Sequence, residues 1–202
     1  MTIEKGMPWG VAVPSPTDLR VVPTDCDARN FVVRQRERGA TLQPLGLGGG
    51  DMARTMGGGQ DRFPGTVTQA TIDLLRVQAG DRVTWAVSHV VARCTWHSGE
   101  LLFAMNAQFL GPYDVAPRSH PNDGKVDIVH VAAEMPWRAR RAAAKRSRTG
   151  THLPHPQLTT RQVPDYSLAC ARPLVIWIDG ERWGTVPDLR ITVEPDALTV
   201  YA

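Results

Sequence analysis

Cysteine is scarce in this chain: Cys26, Cys94 and Cys170 are three in 202 residues, far apart and in no CxxC pair. The odd number and wide spacing suggest neither a disulfide framework nor a zinc site, and buried free thiols are the simplest reading. Long apolar runs are missing as well. No stretch approaches the roughly 18 residues of a membrane-spanning helix. Near the N-terminus, Glu4, Pro8 and Pro14 stand where a signal peptide would carry an apolar core. A cytoplasmic location is the resulting expectation, with a peripheral position at a membrane left open. Charge of one sign is not in large excess: 23 Lys and Arg face 20 Asp and Glu, a net charge of +3. The pI near 9.0 permits an anionic partner without demanding one. There is no internal repeat.

What is present is an ordinary globular composition, 42% hydrophobic and 21% charged, enough for one good core or for one domain plus a fragment of another. Leu19 to Val22 is a short β-branched run. Thr24 with Asp27 three residues later has the form of a capping box opening a helix through about Arg38, which Gly39 ends. Leu42 to Leu47 reads as a second strand, running into a glycine-rich turn at Gly46 to Gly50. Asp51 is then placed to cap a short helix through Met56. Strand, helix, strand, turn, helix is a piece of an α/β layer, so residues 1–60 are expected to form a truncated α/β unit.

Gly57 to Gly65 is glycine-rich and polar, the expected boundary. Beyond it, residues 66–202 alternate short β-like runs with Gly, Pro and Asp-Gly turns: 70–77, 83–94, 100–109, 125–131, 174–178, 189–193 and 198–201. The expected fold class is therefore α+β and mainly β, an antiparallel sandwich or barrel preceded by the short α/β fragment. One interval breaks the pattern. Met135 to Arg148 is Ala-rich, has Pro136 at a tolerable first-turn position and holds six basic residues with no acid, so a helix is expected there. Its cations suit an anionic membrane surface; a single aromatic, Trp137, makes a nucleic-acid patch the weaker reading. His152 and His155 flank Pro154, which is wrong for a helical zinc pair and points to structural roles.

Several segments in order resemble one family. Asn106 lies in a strand, followed by the Ala116-Pro117 pair, then Pro121, Asp123-Gly124 and Asp127 entering another strand. A Gly-x-His segment follows the basic helix at Gly150 to His152. Asp179-Gly180-Glu181 ends a near-terminal strand, and residues 195–200 form a closing one. From about Gly99 to Ala202 this resembles the C-terminal β-rich domain of the bacterial diacylglycerol and lipid kinases, departing from it at Pro112-Tyr113-Asp114, where glycines are usual.

The resemblance implies a set of roles. Asp179 corresponds to the carboxylate proposed to take the proton from a lipid hydroxyl as it attacks the γ-phosphorus of ATP, with Glu181 beside it. Asp123 corresponds to a ligand of a structural Mg²⁺, helped by main-chain carbonyls near His120 and Lys125. The loop Gly48, Gly49, Gly50 and Asp51 corresponds to a phosphate loop, with Asp51 near Mg²⁺-ATP. Asp25 corresponds to the acid of a second loop whose glycines are here Pro23, Thr24 and Cys26. Proline has no N–H to offer a phosphate, so ATP binding by that route is expected to be weak. An alternative register puts Gly48 to Asp51 in the first loop's place. Two functions of different class follow: a divergent kinase transferring phosphoryl groups from ATP to a diacylglycerol-like lipid alcohol, or a non-catalytic relative that binds a lipid or a partner. The expected partners are a lipid alcohol or an anionic membrane through Arg138 to Arg148, and a second copy or a separate nucleotide-binding chain.

Overall fold

The structure, a computed structural model, describes residues 9–202 except the side chains of Cys170 and Ala171. The N-terminal positions Glu4 and Pro8 lie outside the described residues. In chain order the elements are β1 (Gly10–Pro14), β2 (Val21–Val22), α1 (Asp25–Glu37), β3 (Leu45–Leu47) and α2 (Gly50–Thr55). After a 3-10 turn at Gln60–Arg62 come β4 (Thr66–Ala79), β5 (Arg82–Ala86), β6 (His89–Arg93), β7 (Leu101–Met105), β8 (Phe109–Leu110), β9 (Tyr113–Asp114) and β10 (Val126–Val131). The chain closes with α3 (Trp137–Ser147), β11 (Leu158–Val163), β12 (Asp165–Ile178) and β13 (Glu181–Tyr201).

The fold is mainly β and sandwich-like, as expected, and does not close into a barrel. One large sheet runs β1-β4-β13-β12-β6-β7-β10-β11, with β5 on β4 and the parallel pair β2 and β3 attached to the end of β13. The strands of the α/β fragment thus extend the same sheet as those beyond the glycine-rich segment. Thr24 caps α1 as its spacing implies: its hydroxyl oxygen accepts from the Asp27 amide at 3.1 Å. At α2 the cap is Gly49 rather than Asp51, whose side chain turns away to another partner.

Three departures from the sequence pattern have local causes. The run 83–94 is two strands because the amides of Val87, Ser88 and His89 bend inward to a carboxylate instead of continuing a ladder. β1 and β11 lie at the two ends of the strand order; β11 is mostly exposed and polar and carries little apolar signal, whereas β1 is a short run of Gly, Val, Ala, Val and Pro. Pro187 and Pro195 fall at register shifts of the long strand β13, where a missing N–H costs no ladder bond.

The central strands are buried on both faces. On β6, Val90 and Ala92 enter the sandwich core with Leu75, Leu102, Ile128 and Ile176, while Val91 faces the opposite way, with Leu101, Val131 and Met135, beneath α3. Period-two alternation with both faces covered explains why these strands read as continuous apolar runs. A third cluster packs α1, α2 and β3 onto the far end of β4 and β13 through Val32, Leu47, Met52, Ile72 and Val200. Cys26 is half-buried and Cys94 exposed, so the expectation of buried thiols fails at Cys94. Among the described residues no helix is long and apolar enough to cross a membrane.

Asn106, fully buried at the end of β7, joins two parts of this frame: its Nδ2 donates to the carbonyls of Asp73 on β4 and Val87 in the β5–β6 turn, at 2.9 and 2.8 Å. Asn106→Leu strands both carbonyls and is expected to lower stability by about 2–4 kcal/mol in urea unfolding. A loss below about 0.5 kcal/mol would mean that the two carbonyls find other donors.

Candidate functional site

The hairpin joining β12 to β13 is a two-residue turn, Asp179-Gly180, with φ of +48 and +85. Positive φ at both central residues is the hairpin geometry that an Asp-Gly pair favours. The turn itself was legible; its burial was not. Asp179 is 4% exposed, and four donors converge on its carboxylate. Oδ2 accepts from the Val87 amide at 2.8 Å; Oδ1 accepts from the Ser88 amide at 2.9 Å, the Ser88 hydroxyl at 2.9 Å and the His89 amide at 3.0 Å. Since a carboxylate offers roughly four lone-pair positions, most of its accepting capacity is committed.

Ser88 passes the constraint on. Its single hydroxyl proton goes to Asp179, so its oxygen receives a hydrogen bond from His89 Nδ1, 2.8 Å away. This fixes the tautomer, with the proton on Nδ1 and the lone pair on Nε2. Burial pushes the His89 pKa down, against the opposing pull of Asp179 and Asp51, which keeps the imidazole neutral. Asp51 Oδ2 lies 3.7 Å from His89 Nδ1, and its Oδ1 accepts from the Gly111 amide at 2.8 Å. Burial raises the Asp51 pKa.

Asp25 completes the group. Its carboxylate, 5% exposed, accepts from the amides of Asp51 at 2.6 Å and Met52 at 3.3 Å. Burial first, then the charges of Asp179 and Asp51, push its pKa up to about 7. Arg29 supplies the nearby positive charge: from α1 it donates to the Ile178 carbonyl at 2.8 Å and pairs with Glu181, whose pKa it lowers. Asp25, Asp51, Asp179 and Glu181, singled out from sequence, therefore converge from three separate segments: the start of α1, α2 and the β12–β13 hairpin. Ser88, His89 and Arg29 were not singled out. Arg29 lies one turn after Asp25 and Cys26 on a helix, the only available signal, while Ser88-His89 sits in what reads as an unbroken strand.

The glycine loop packs tightly. Gly50 has φ +94, and a side chain there would run into the Asp25 carboxylate; a Cβ on Gly49 would press on the Pro23 carbonyl. The first amides of α2 are turned to Asp25, so in this arrangement the loop does not fit a phosphate.

Asp123 belongs elsewhere. Its Oδ1 accepts from the Lys125 amide at 3.0 Å, and burial raises its pKa. Around it lie His120, whose Nδ1 accepts from the Asn122 amide, and Asp73, which takes the amides of Gly124 and Asp196 at 2.7 and 2.9 Å. Asp127, mainly through burial, is pushed up to about 6. Lys125 contributes its amide, and its charge opposes the rise of the Asp123 and Asp127 pKa values. Among the described residues no group of three or more His, Cys, Asp or Glu is arranged to hold a metal ion. In the basic helix, Arg140 is buried and donates to the carbonyls of Met135, Ala132, Ala133 and Gly99, so it serves the fold. His152 is buried too, with Nε2 at 3.1 Å from the Val115 carbonyl, a structural role.

A cavity of about 920 Å³ lies between α3 and the outer face of β6, β7 and β10. Its walls are apolar, with Val91, Leu101, Phe103, Val131 and Met135 among them; His89, Gly111 and Gly180 line it beside the carboxylates. Trp96, His97 and Trp137 line it past the other end of β6. At about 3.3 Å per residue, the strand sets these two groups roughly 13 Å or more apart.

Fold and cluster together define a β-sandwich-like domain whose buried hairpin carboxylate faces a small α/β cap. Residues 66–202 match the model of the YegS C-terminal NAD kinase β-sandwich-like domain, and the chain belongs to that family. The resemblance carried by the motifs is thus borne out. A solved structure from Bacillus anthracis strain Sterne, named as a candidate diacylglycerol kinase, superposes with a TM-score of 0.59 at 11% identity, covering 89% of this chain and 83% of that one. At that identity the likeness concerns the fold alone. A second structure from the same strain, named as a diacylglycerol kinase, reaches a TM-score of 0.47 at 13% identity over 80% of this chain and 66% of its own, too low to carry weight. No curated protein matches the chain.

The charge cluster has a pH signature. Asp25 holds its proton more tightly when folded than when unfolded, so its contribution to stability is fully present below about 4 and is lost as pH rises through about 7. Asp127 acts in the same direction up to about 6. Asp25→Asn, compared with the unsubstituted chain in urea unfolding from pH 4 to 8, is expected to gain relative stability as pH rises and to level off above about 7. A pH-independent difference would show that Asp25 ionises as freely as in the unfolded chain.

Proposed function

We propose that this chain is a divergent lipid-kinase relative that receives a diacylglycerol-like lipid alcohol, its apolar part in the cavity and its hydroxyl at the cluster of Asp51, Asp179 and His89, for phosphorylation. One observation carries this reading: the apolar cavity is lined at one end by His89, Gly111 and Gly180, against the buried carboxylates. Ligand sites are generally apolar hollows with a few convergent polar groups, and 920 Å³ lies at the large end of that class.

Within that reading the residues divide the work. The apolar walls exclude water from the lipid hydroxyl. Asp179, with most of its lone pairs held by the Val87–His89 turn, positions His89 through Ser88. His89 Nε2 is then the ring nitrogen left to accept the hydroxyl proton; Asp179 takes that role itself only by releasing a donor. Mg²⁺ prefers hard oxygen ligands and keeps several waters, so one or two carboxylates suffice for it. Asp51 with Asp25, and separately Asp123, have suitable chemistry, and a cation at the first pair would offset the charge of the two carboxylates.

A second reading is binding of the lipid without phosphoryl transfer. Asp25 favours it, because its carboxylate occupies the Asp51 and Met52 amides that a phosphate would use.

Incubation with Mg²⁺-ATP carrying a labelled γ-phosphate and diacylglycerol in mixed micelles separates the two. The kinase reading expects label in the lipid, reduced about 10²-fold or more by His89→Gln and by Asp51→Asn. Saturable binding of a fluorescent diacylglycerol analogue with no label transferred would leave the binding reading alone.

A further inference from the structure

One charge is buried in the cavity wall without a counter-charge. Arg140 is 7% exposed and lines the cavity. Its Nε donates to the Met135 carbonyl and its Nη2 to the carbonyls of Gly99, Ala132 and Ala133, so these two nitrogens serve the fold. Nη1 is buried and has no partner. Gly99 lies just before β7, whose first residue, Leu101, pairs with Arg93, whereas His89 at the start of β6 pairs with Met105. The guanidinium is therefore at the opposite end of the cavity from His89 and the carboxylates.

Every group that Arg140 bonds is a neutral carbonyl. Glu134, exposed ahead of α3, and Cys94 act on its charge only through space. Among the described residues no Asp or Glu lines the cavity, whereas Arg141 joins Arg140 in its wall. Trp177 adds a donor, since its Nε1 is buried in the same wall and also lacks an acceptor. His152 Nδ1 has no partner either, but Nε2 donates to the Val115 carbonyl, so Nδ1 is an acceptor and takes no part in holding an anion. A guanidinium out of water with two N–H groups unmade is costly, and a charge-assisted bond from Nη1 to an anionic oxygen offsets that cost.

We infer that the cavity binds a long-chain fatty acid, its carboxylate at Arg140 Nη1 and its chain along Leu101, Phe103 and Val91 toward His89. The inference rests on the cavity being a lipid site, and it adds a ligand class, an anionic single chain, that the diacylglycerol reading does not contain. A carboxylate fits better than a phosphate monoester: one guanidinium balances one negative charge, and the monoester carries close to two, leaving the second desolvated. Because the acid lies along the same apolar wall as the acyl part of a diacylglycerol-like lipid, the two compete.

The test compares hexadecanoic acid, hexadecanol, methyl hexadecanoate and hexadecyl phosphate binding to the full chain at about pH 8, where carboxylic acids are ionised. Tryptophan fluorescence reports it, since Trp96, Trp137 and Trp177 line the cavity. The acid is expected to bind about tenfold or more tighter than the alcohol or the ester, and to displace the fluorescent diacylglycerol analogue. Arg140→Gln should bring the acid down to the level of the alcohol while the alcohol changes by less than about threefold; damage to the fold alone would weaken all of them alike. Arg141→Gln, at the exposed cation of the same wall, should lower the acid preference by less than about threefold. If thermal unfolding shows that Arg140→Gln does not fold, the acid preference of the unsubstituted chain decides together with its persistence in Arg141→Gln. Equal binding of acid and alcohol overturns the inference. So does an acid preference lost in Arg141→Gln, one retained by a folded Arg140→Gln, or tighter binding of hexadecyl phosphate than of the acid. Binding of the diacylglycerol analogue without any acid preference removes the carboxylate site and leaves the lipid-acceptor reading standing; binding of neither the analogue nor any single-chain ligand removes both.

Discussion

A carboxylate buried at the tip of a hairpin imposes much of the local order at this site. Asp179 sits in a left-handed conformation at a two-residue turn, and burial there is tolerable because three backbone amides and a hydroxyl meet it. To supply those amides the chain breaks one apolar run into β5 and β6. The break in turn sets where β6 begins, and therefore where His89 enters the cavity. Asn106 holds the same turn from the other side through the Val87 carbonyl. Removing the carboxylate would leave three amides without their acceptor, so the turn, the strand boundary and the histidine depend on one side chain.

The second constraint is electrostatic. Three carboxylates, Asp25, Asp51 and Asp179, act on one another in surroundings where desolvation disfavours charge, and the rise of the Asp25 pKa to about 7 records that conflict. Arg54 relieves part of it at Asp51, while Arg29, which binds the Ile178 carbonyl and Glu181, ties α1 to the hairpin. Clusters of this kind are costly for folding, and perturbed acids in a cleft are more common at sites of chemistry or cation binding than elsewhere. The apolar cavity next to them makes the case stronger, because a hydroxyl delivered from that side meets a neutral imidazole before it meets any carboxylate with lone pairs to spare.

How much of this the sequence disclosed follows from where information is local. The Thr24–Asp27 cap, the Asp-Gly hairpin and the Ala-rich basic helix are short-range patterns, and all three elements form where expected. The order of motifs from Asn106 to Asp179 carried the family. Burial did not show: an Asp-Gly pair looks the same in solvent as in a core, and only the fold brings Val87, Ser88 and His89 to it from about 90 residues away. Edge strand β11 was hidden by its exposed polar residues. The cavity is likewise a property of three strands and a helix packed at a distance, which no single segment announces.

The glycine loop shows how a familiar composition can mislead about chemistry. Gly48 to Gly50 looks like a phosphate cradle because glycines allow close approach, yet here the approaching group is the protein's own Asp25. That carboxylate holds the Asp51 and Met52 amides as an incoming phosphate would. Its pKa, raised to about 7, brings its protonation toward neutral pH, and the protonated form grips two N–H donors more weakly. A divalent cation shared with Asp51 would favour the ionised form and draw the carboxylate toward the metal. Occupancy of the amides and cation binding at this pair would therefore be coupled through one side chain, and the choice between the two proposed readings turns on which of the two holds Asp25.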